Sequence, residues 1–199
     1  MAQRLESLAS VEAEVWKQLE QATHDKQHAW RTPVLATVDG DRADARTVIL
    51  REVDVRQKQL LTFTDDRAGK VAQMLRRPHG TLLMWSPQLS WQLRCRVLLS
   101  LEMTGLAATS RWARIKLTPA AQDYLARLPP GAELDSSLTT AGEPDAAPSS
   151  PQAPESAPLK REHFAVINAQ VLAIDWLELH RDGHRRAIID DHGPRWVQP

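Results

Sequence analysis

The chain has 199 residues, enough for one well-buried core and short for two full domains. Its 25 Lys and Arg balance 25 Asp and Glu, so no excess positive charge exists to hold a nucleic-acid backbone. The lone Cys95 excludes an internal disulfide and a Cys/His zinc quartet. Met1–Ser10 has no apolar run of the signal-peptide kind, and nothing reaches the roughly 20 apolar residues of a membrane span. A single cytoplasmic domain spanning 1–199, with no nucleic-acid or membrane partner, is the expectation.

Leu8, Val11, Val15 and Leu19 recur at helical spacing and predict an amphipathic helix from Leu8 to about Ala22. Beyond Thr23–His28 the pattern turns strand-like. Pro33–Val38 and Ala45–Arg51, joined by Asp39-Gly40-Asp41, predict a hairpin. A third strand, Gln59–Thr64, ends in Asp65-Asp66, which suit the start of a helix over Ala68–Arg77 as cap and dipole partner; Pro78 stops that helix. Strands are predicted at Thr81–Ser86 and from Ser90 to Thr104, the second long enough to bend around a barrel. Thr118-Pro119 reads as the cap and first position of a helix through Leu128. The Pro-, Ala- and Ser-rich stretch at about 130–158 has little to bury and predicts a disordered insertion. Strands return at His163–Asn168, Gln170–Leu179 and His184–Ile189, followed by a short segment holding Trp196. About eight strands with two or three helices, without regular strand–helix alternation, predict a mainly β fold: an antiparallel, split β-barrel with flanking helices.

Several residues stand out chemically. Arg46-Thr47-Val48-Ile49-Leu50-Arg51 is apolar between two arginines, whose planar forks suit phosphate; taken alone, they read equally as solvated strand ends. Phe63-Thr64-Asp65-Asp66-Arg67-Ala68-Gly69-Lys70 runs from a strand end into a helix start, where backbone N–H groups and two cations favour an anion. No glycine-rich dinucleotide or P-loop motif is present, so side chains must hold any phosphate. Gln92 can read a carbonyl and an N–H together, as a flavin pyrimidine edge presents them. His180 and His184 straddle a turn and have no acidic third ligand at zinc spacing, so no metal site is expected. Cys95 sits within a strand and reads as a packed thiol.

In this order the segments resemble the pyridoxamine 5′-phosphate oxidase family of FMN-binding split barrels, over about Trp30 to Gln92 and from His163 onward. The family's R-x-V-L-L-K strand is similar to Arg46–Arg51, its Y-T pair to Phe63-Thr64, and its S-R-K to Ala68-Gly69-Lys70, where only the lysine is kept and Arg67 stands nearby. Gln92 matches its R-Q-V glutamine. Trp176 and Arg186 keep the family's ten-residue spacing. The resemblance implies an FMN cofactor held by Arg46, Thr47, Val48, Ile49, Leu50, Arg51, Phe63, Thr64, Arg67, Lys70, Gln92, Trp176 and Arg186, at the interface of a homodimer. On the substrate side it implies His184 and Arg51 as the catalytic residues. There the family's R-x-H is reduced to Asp182-Gly183-His184, its lysine becomes Arg51, and its Tyr, Arg and Ser phosphate holders and its Q-S pair have no counterparts. The implied function is an FMN-dependent oxidoreductase with an altered substrate. The alternatives are a pyridoxamine or pyridoxine 5′-phosphate oxidase, or an FMN-binding protein without catalysis.

Overall fold

A computed structural model describes residues 4–134 and 163–199. The insertion expected at about 130–158 lies, beyond residue 134, outside the described residues. The elements are α1 (Leu8–His24), β1 (Val34–Asp39), β2 (Arg42–Thr47), β3 (Leu50–Asp54), β4 (Gln59–Asp65), α2 (Gly69–Arg76), β5 (His79–Ser86), β6 (Trp91–Glu102), α3 (Gly105–Ile115), β7 (Phe164–Glu178), β8 (Arg185–Asp190) and β9 (Gly193–Val197). Short 3-10 segments occupy Ala29–Arg31 and Pro119–Tyr124.

All described strands join one antiparallel sheet, ordered β2-β1-β5-β6-β7-β4-β3, with β8 and β9 continuing from β7. The 15-residue β7 is long enough to serve two neighbours along one edge: its first half pairs with β4 and its second with β8, while β6 runs along the other. The consecutive strands β2 and β3 lie at opposite ends of the order, so the barrel is open between them. It opens at Val48-Ile49. There the Val48 N–H is still bonded to the Pro33 carbonyl at 2.9 Å, after which the chain crosses to pair Leu50 with Thr62. The arginine strand expected as one run, Arg46–Arg51, is therefore two strands with Arg46 and Arg51 on opposite sides of the split.

Helix α1 starts at Ser7, whose hydroxyl accepts the Ser10 N–H in a reciprocal capping box, and it buries Val11, Val15, Leu19 and Ala22 against the barrel. The main core runs from these residues through Trp30, Leu35, Leu50, Leu60, Leu82, Leu93 and Trp176. A second cluster joins Trp112, Tyr124 and Phe164 beneath α3.

Four further expectations are corrected. Helix α2 starts one residue later, with Ala68 at the cap and no side-chain bond there; Asp65 instead turns its carboxylate to Arg67, which removes it from the helix end. Helix α3 was not expected, although Ala108, Trp112 and Ile115 follow helical spacing; the buried Trp112 anchors it. Residues 119–124 form a 3-10 turn in place of a helix through Leu128. The two strands expected at 163–179 are one, and with β9 the described strands number nine. No helix among the described residues is long and apolar enough to cross a membrane.

Candidate functional site

Because strand side chains alternate, Asp44 and Arg46 of β2 share a face. The register places Asp44 opposite Thr37 of β1, and α2 lays Gln73 against both. The Arg46 guanidinium donates to the Leu35 carbonyl, the Thr37 hydroxyl, the Asp44 carboxylate and, at 3.0 Å, the Gln73 side-chain oxygen. Gln73 closes the ring by donating to Asp44 at 2.8 Å, and its hydrogen bond, with the Arg46 charge, holds the Asp44 carboxyl below the usual range. Asp44, Thr37 and Gln73 were not singled out from the sequence. Asp44 was legible two residues before Arg46; Gln73 became a partner only through packing.

Lys70 stands in the first turn of α2, half-buried, with no ion-pair partner among the described residues. Burial and the nearby Arg46 charge lower its pKa, against an opposing pull from Asp65. Two cations thus converge at a helix start without a side-chain cap, an arrangement that a phosphate dianion would relieve. This donor set fits the phosphate of FMN. Thr47 is exposed, Val48 and Leu50 are buried, and Ile49 is 41 % exposed where the chain crosses the split. Thr64 is buried and donates to the Asp65 carbonyl.

Arg67 is committed elsewhere. It clasps Asp65 through Nε and Nη2 and donates to the carbonyls of Ala126, Arg127 and Leu128, pinning the segment after the 3-10 turn. Arg51 lies over the Phe63 ring, 5.5 Å from its centroid, and its charge acts on the buried Tyr124, a neighbour sequence reasoning missed. Asp65, Asp66 and His163 bring ligand atoms within 4.8 Å of one another, but Asp65 is already bound by Arg67.

The remaining residues lie on β6–β8. Opposed positions form a row, Arg186–Leu177–Gln92–Trp85, along the outward face of the sheet, which brings Gln92 and Arg186 onto one surface. Arg186 is held there by Asp175, which also pairs with Arg94. Trp176 is out of phase with this row. It is fully buried in the core, edge-on to Trp91, and its indole carries Arg185 in place of Arg186. His184 lies beyond Gly183, accepts the His180 N–H on Nδ1, and lines one cavity with Arg186, whereas Arg51 and Phe63 line another.

Residues 13–100 match the family described as pyridoxamine 5′-phosphate oxidase, FMN-binding domain. Its cofactor is FMN. The fold is shared with solved structures. A pyridoxamine 5′-phosphate oxidase-related FMN-binding protein from Nostoc punctiforme PCC 73102 superposes with a TM-score of 0.64 at 21% identity, covering 99% of this chain and 100% of its own. PhzG from Burkholderia lata 383, solved with tetrahydrophenazine-1-carboxylic acid, gives 0.68 at 12% identity, covering 96% and 92%. No curated protein matches the sequence.

Proposed function

We propose that this protein is a cytoplasmic, homodimeric FMN-dependent oxidoreductase whose substrate is not pyridoxamine 5′-phosphate. The observation that carries the reading is the meeting of Arg46 from β2 and Lys70 from the first turn of α2. Arg46 and Lys70 neutralise the phosphate, and the ring of Asp44, Thr37 and Gln73 keeps the Arg46 fork in place. Gln92 reads the pyrimidine edge, and Arg186, steadied by Asp175, supplies a further cation. FMN, when bound, supplies the hydride or electron chemistry, while the protein contributes orientation and charge.

The placement of these groups supports a second chain. His184 and Arg51 line different cavities of one protomer, so a site using both draws one from each of two chains. His184 then holds or delivers a proton, and Arg51 faces the substrate. The altered substrate is supported by Asp182-Gly183 in place of the family's R-x.

The test begins with the visible spectrum of natively purified protein and chromatography of the chromophore released on denaturation. FMN near one per chain is expected, and Arg46→Met or Lys70→Met should weaken its binding at least tenfold, since each removes a charge-assisted contact of about 1.5–3 kcal/mol. A colourless protein that does not take up added FMN overturns the reading. Rapid aerobic turnover of pyridoxamine 5′-phosphate would restore the specific oxidase, and flavin that no donor reduces would favour a binding protein without catalysis.

A further inference from the structure

Arg46 is almost fully engaged within the chain itself. Its Nη1 donates to the Leu35 carbonyl and the Thr37 hydroxyl, and its Nη2 to Asp44 and Gln73, which leaves Nε–H as its one donor without a partner among the described residues. Two donors converge on a single atom. Asp44 Oδ2 accepts from Arg46 Nη2 and, at 2.8 Å, from Gln73 Nε2, so it sits where a phosphate oxygen held by the same pair would sit. The braces behind this point are fixed: Thr37 and Gln73 are buried, and the Thr37 hydroxyl donates to the Gln73 oxygen at 2.6 Å. Asp44 is not fixed in that way. Its side chain is 46% exposed, on the edge strand β2. The charges also fall short. Arg46 and Lys70 bring two positive charges and Asp44 cancels one, whereas a phosphate monoester carries about 1.5 to 2 negative charges near neutral pH. With Asp44 in place such a group is under-neutralised and meets a like charge at close range.

We propose that Asp44 is an internal counter-ion that keeps the phosphate's place on Arg46, and that FMN binds by displacing it. The inference deepens the proposed function and rests on its reading of Arg46 and Lys70 as the phosphate ligands; it adds a residue that works against them. Asp44 swings toward solvent from the edge strand, and the Arg46 Nη2–H and Gln73 Nε2–H turn over to a phosphate oxygen. The Leu35 carbonyl, Thr37 and the Gln73 oxygen go on holding the guanidinium, so its orientation survives the exchange. The carboxylate thereby sets FMN affinity below what the two cations alone would give, and it speeds release by returning to Arg46 as the phosphate leaves.

The test is fluorescence titration of flavin-free protein with FMN and, separately, with riboflavin, which has the same ring and no phosphate. Asp44→Asn should tighten FMN about tenfold and slow its release, while riboflavin affinity stays as in the wild type. A gain in affinity is a change that a folding defect cannot imitate. Asp44→Glu, which keeps the charge, should give no such gain. The inference is overturned if Asp44→Asn leaves FMN affinity unchanged or lowers it, which would make Asp44 only a brace for Arg46, if Asp44→Glu tightens FMN as much, or if riboflavin shares the gain. Each of those results leaves Arg46 and Lys70 as ligands. FMN taken up by neither the wild type nor Asp44→Asn removes the phosphate site itself, and the inference with it.

Discussion

Cys95 on β6 and Asp175 on the neighbouring β7 are displaced in opposite directions by their surroundings. The thiol faces the core, and full burial pushes its pKa up to about 12. At mildly alkaline pH, iodoacetamide should therefore leave Cys95 untouched in the native protein and alkylate it once denaturant is added, as mass spectrometry would report. Modification of the native chain at the rate of a free thiol would contradict the packing. For Asp175, burial alone would raise the pKa, but hydrogen bonds from Arg186 and Arg94 outweigh it and hold the carboxyl below its usual range. A carboxyl lowered in the folded state contributes stability that is complete above the unfolded value and is lost as pH falls through the folded one. Asp175→Asn should cost about 1–3 kcal/mol near neutral pH, with the gap to wild type closing below about pH 4. Denaturant melts across that range measure it, and an unchanged gap down to pH 3 would count against the account.

The elements depend on a few close approaches. Gly80 on β5 sits where a Cβ would lie 2.8 Å from the Leu99 side chain and 2.9 Å from the Ala36 carbonyl oxygen. Leu99 can rotate, but the carbonyl belongs to the β1 backbone and cannot yield without parting two strands. Gly80→Ala should therefore destabilise by about 1–3 kcal/mol, read as a lower denaturation midpoint. A neutral result would mean that β1 shifts freely against β5. The split at Val48-Ile49 works at the same scale: it lets six consecutive residues place one arginine, Arg46, over α2 and the other, Arg51, beside Phe63.

For the molecule as a whole, the outward face of β5–β8 is the surface on which the proposed dimer would close. Trp85 and Leu83 are exposed there beside Gln92 and Arg94, and buried apolar anchors of this kind dominate stable interfaces. If the two chains share the flavin across this face, Trp85→Glu should convert a dimer into a 22.4 kDa monomer in sedimentation velocity and release FMN in the same preparation. A variant that remains dimeric and yellow would place the interface elsewhere.

The sequence by itself determined the mainly antiparallel architecture, because strand alternation and turn chemistry are local. The hairpin was legible as well, but the register that sets Thr37 across from Asp44 comes from the turn as formed, Gly40-Asp41 alone, with Asp39 already paired to Arg42. Arg46 and Lys70 were legible as phosphate candidates for the same reason: their type and their place at an element end are written in the chain. Only the tertiary structure decided what each charge meets. Arg67 looked interchangeable with Lys70 until Asp65 and the carbonyls of residues 126–128 closed on it. Trp176 and Arg186 keep a suggestive spacing, but a turn lies between them. The pairing of Trp176 with Ala187 then sets them on opposite faces, because the side on which a strand residue points depends on register across the sheet and not on distance along the chain.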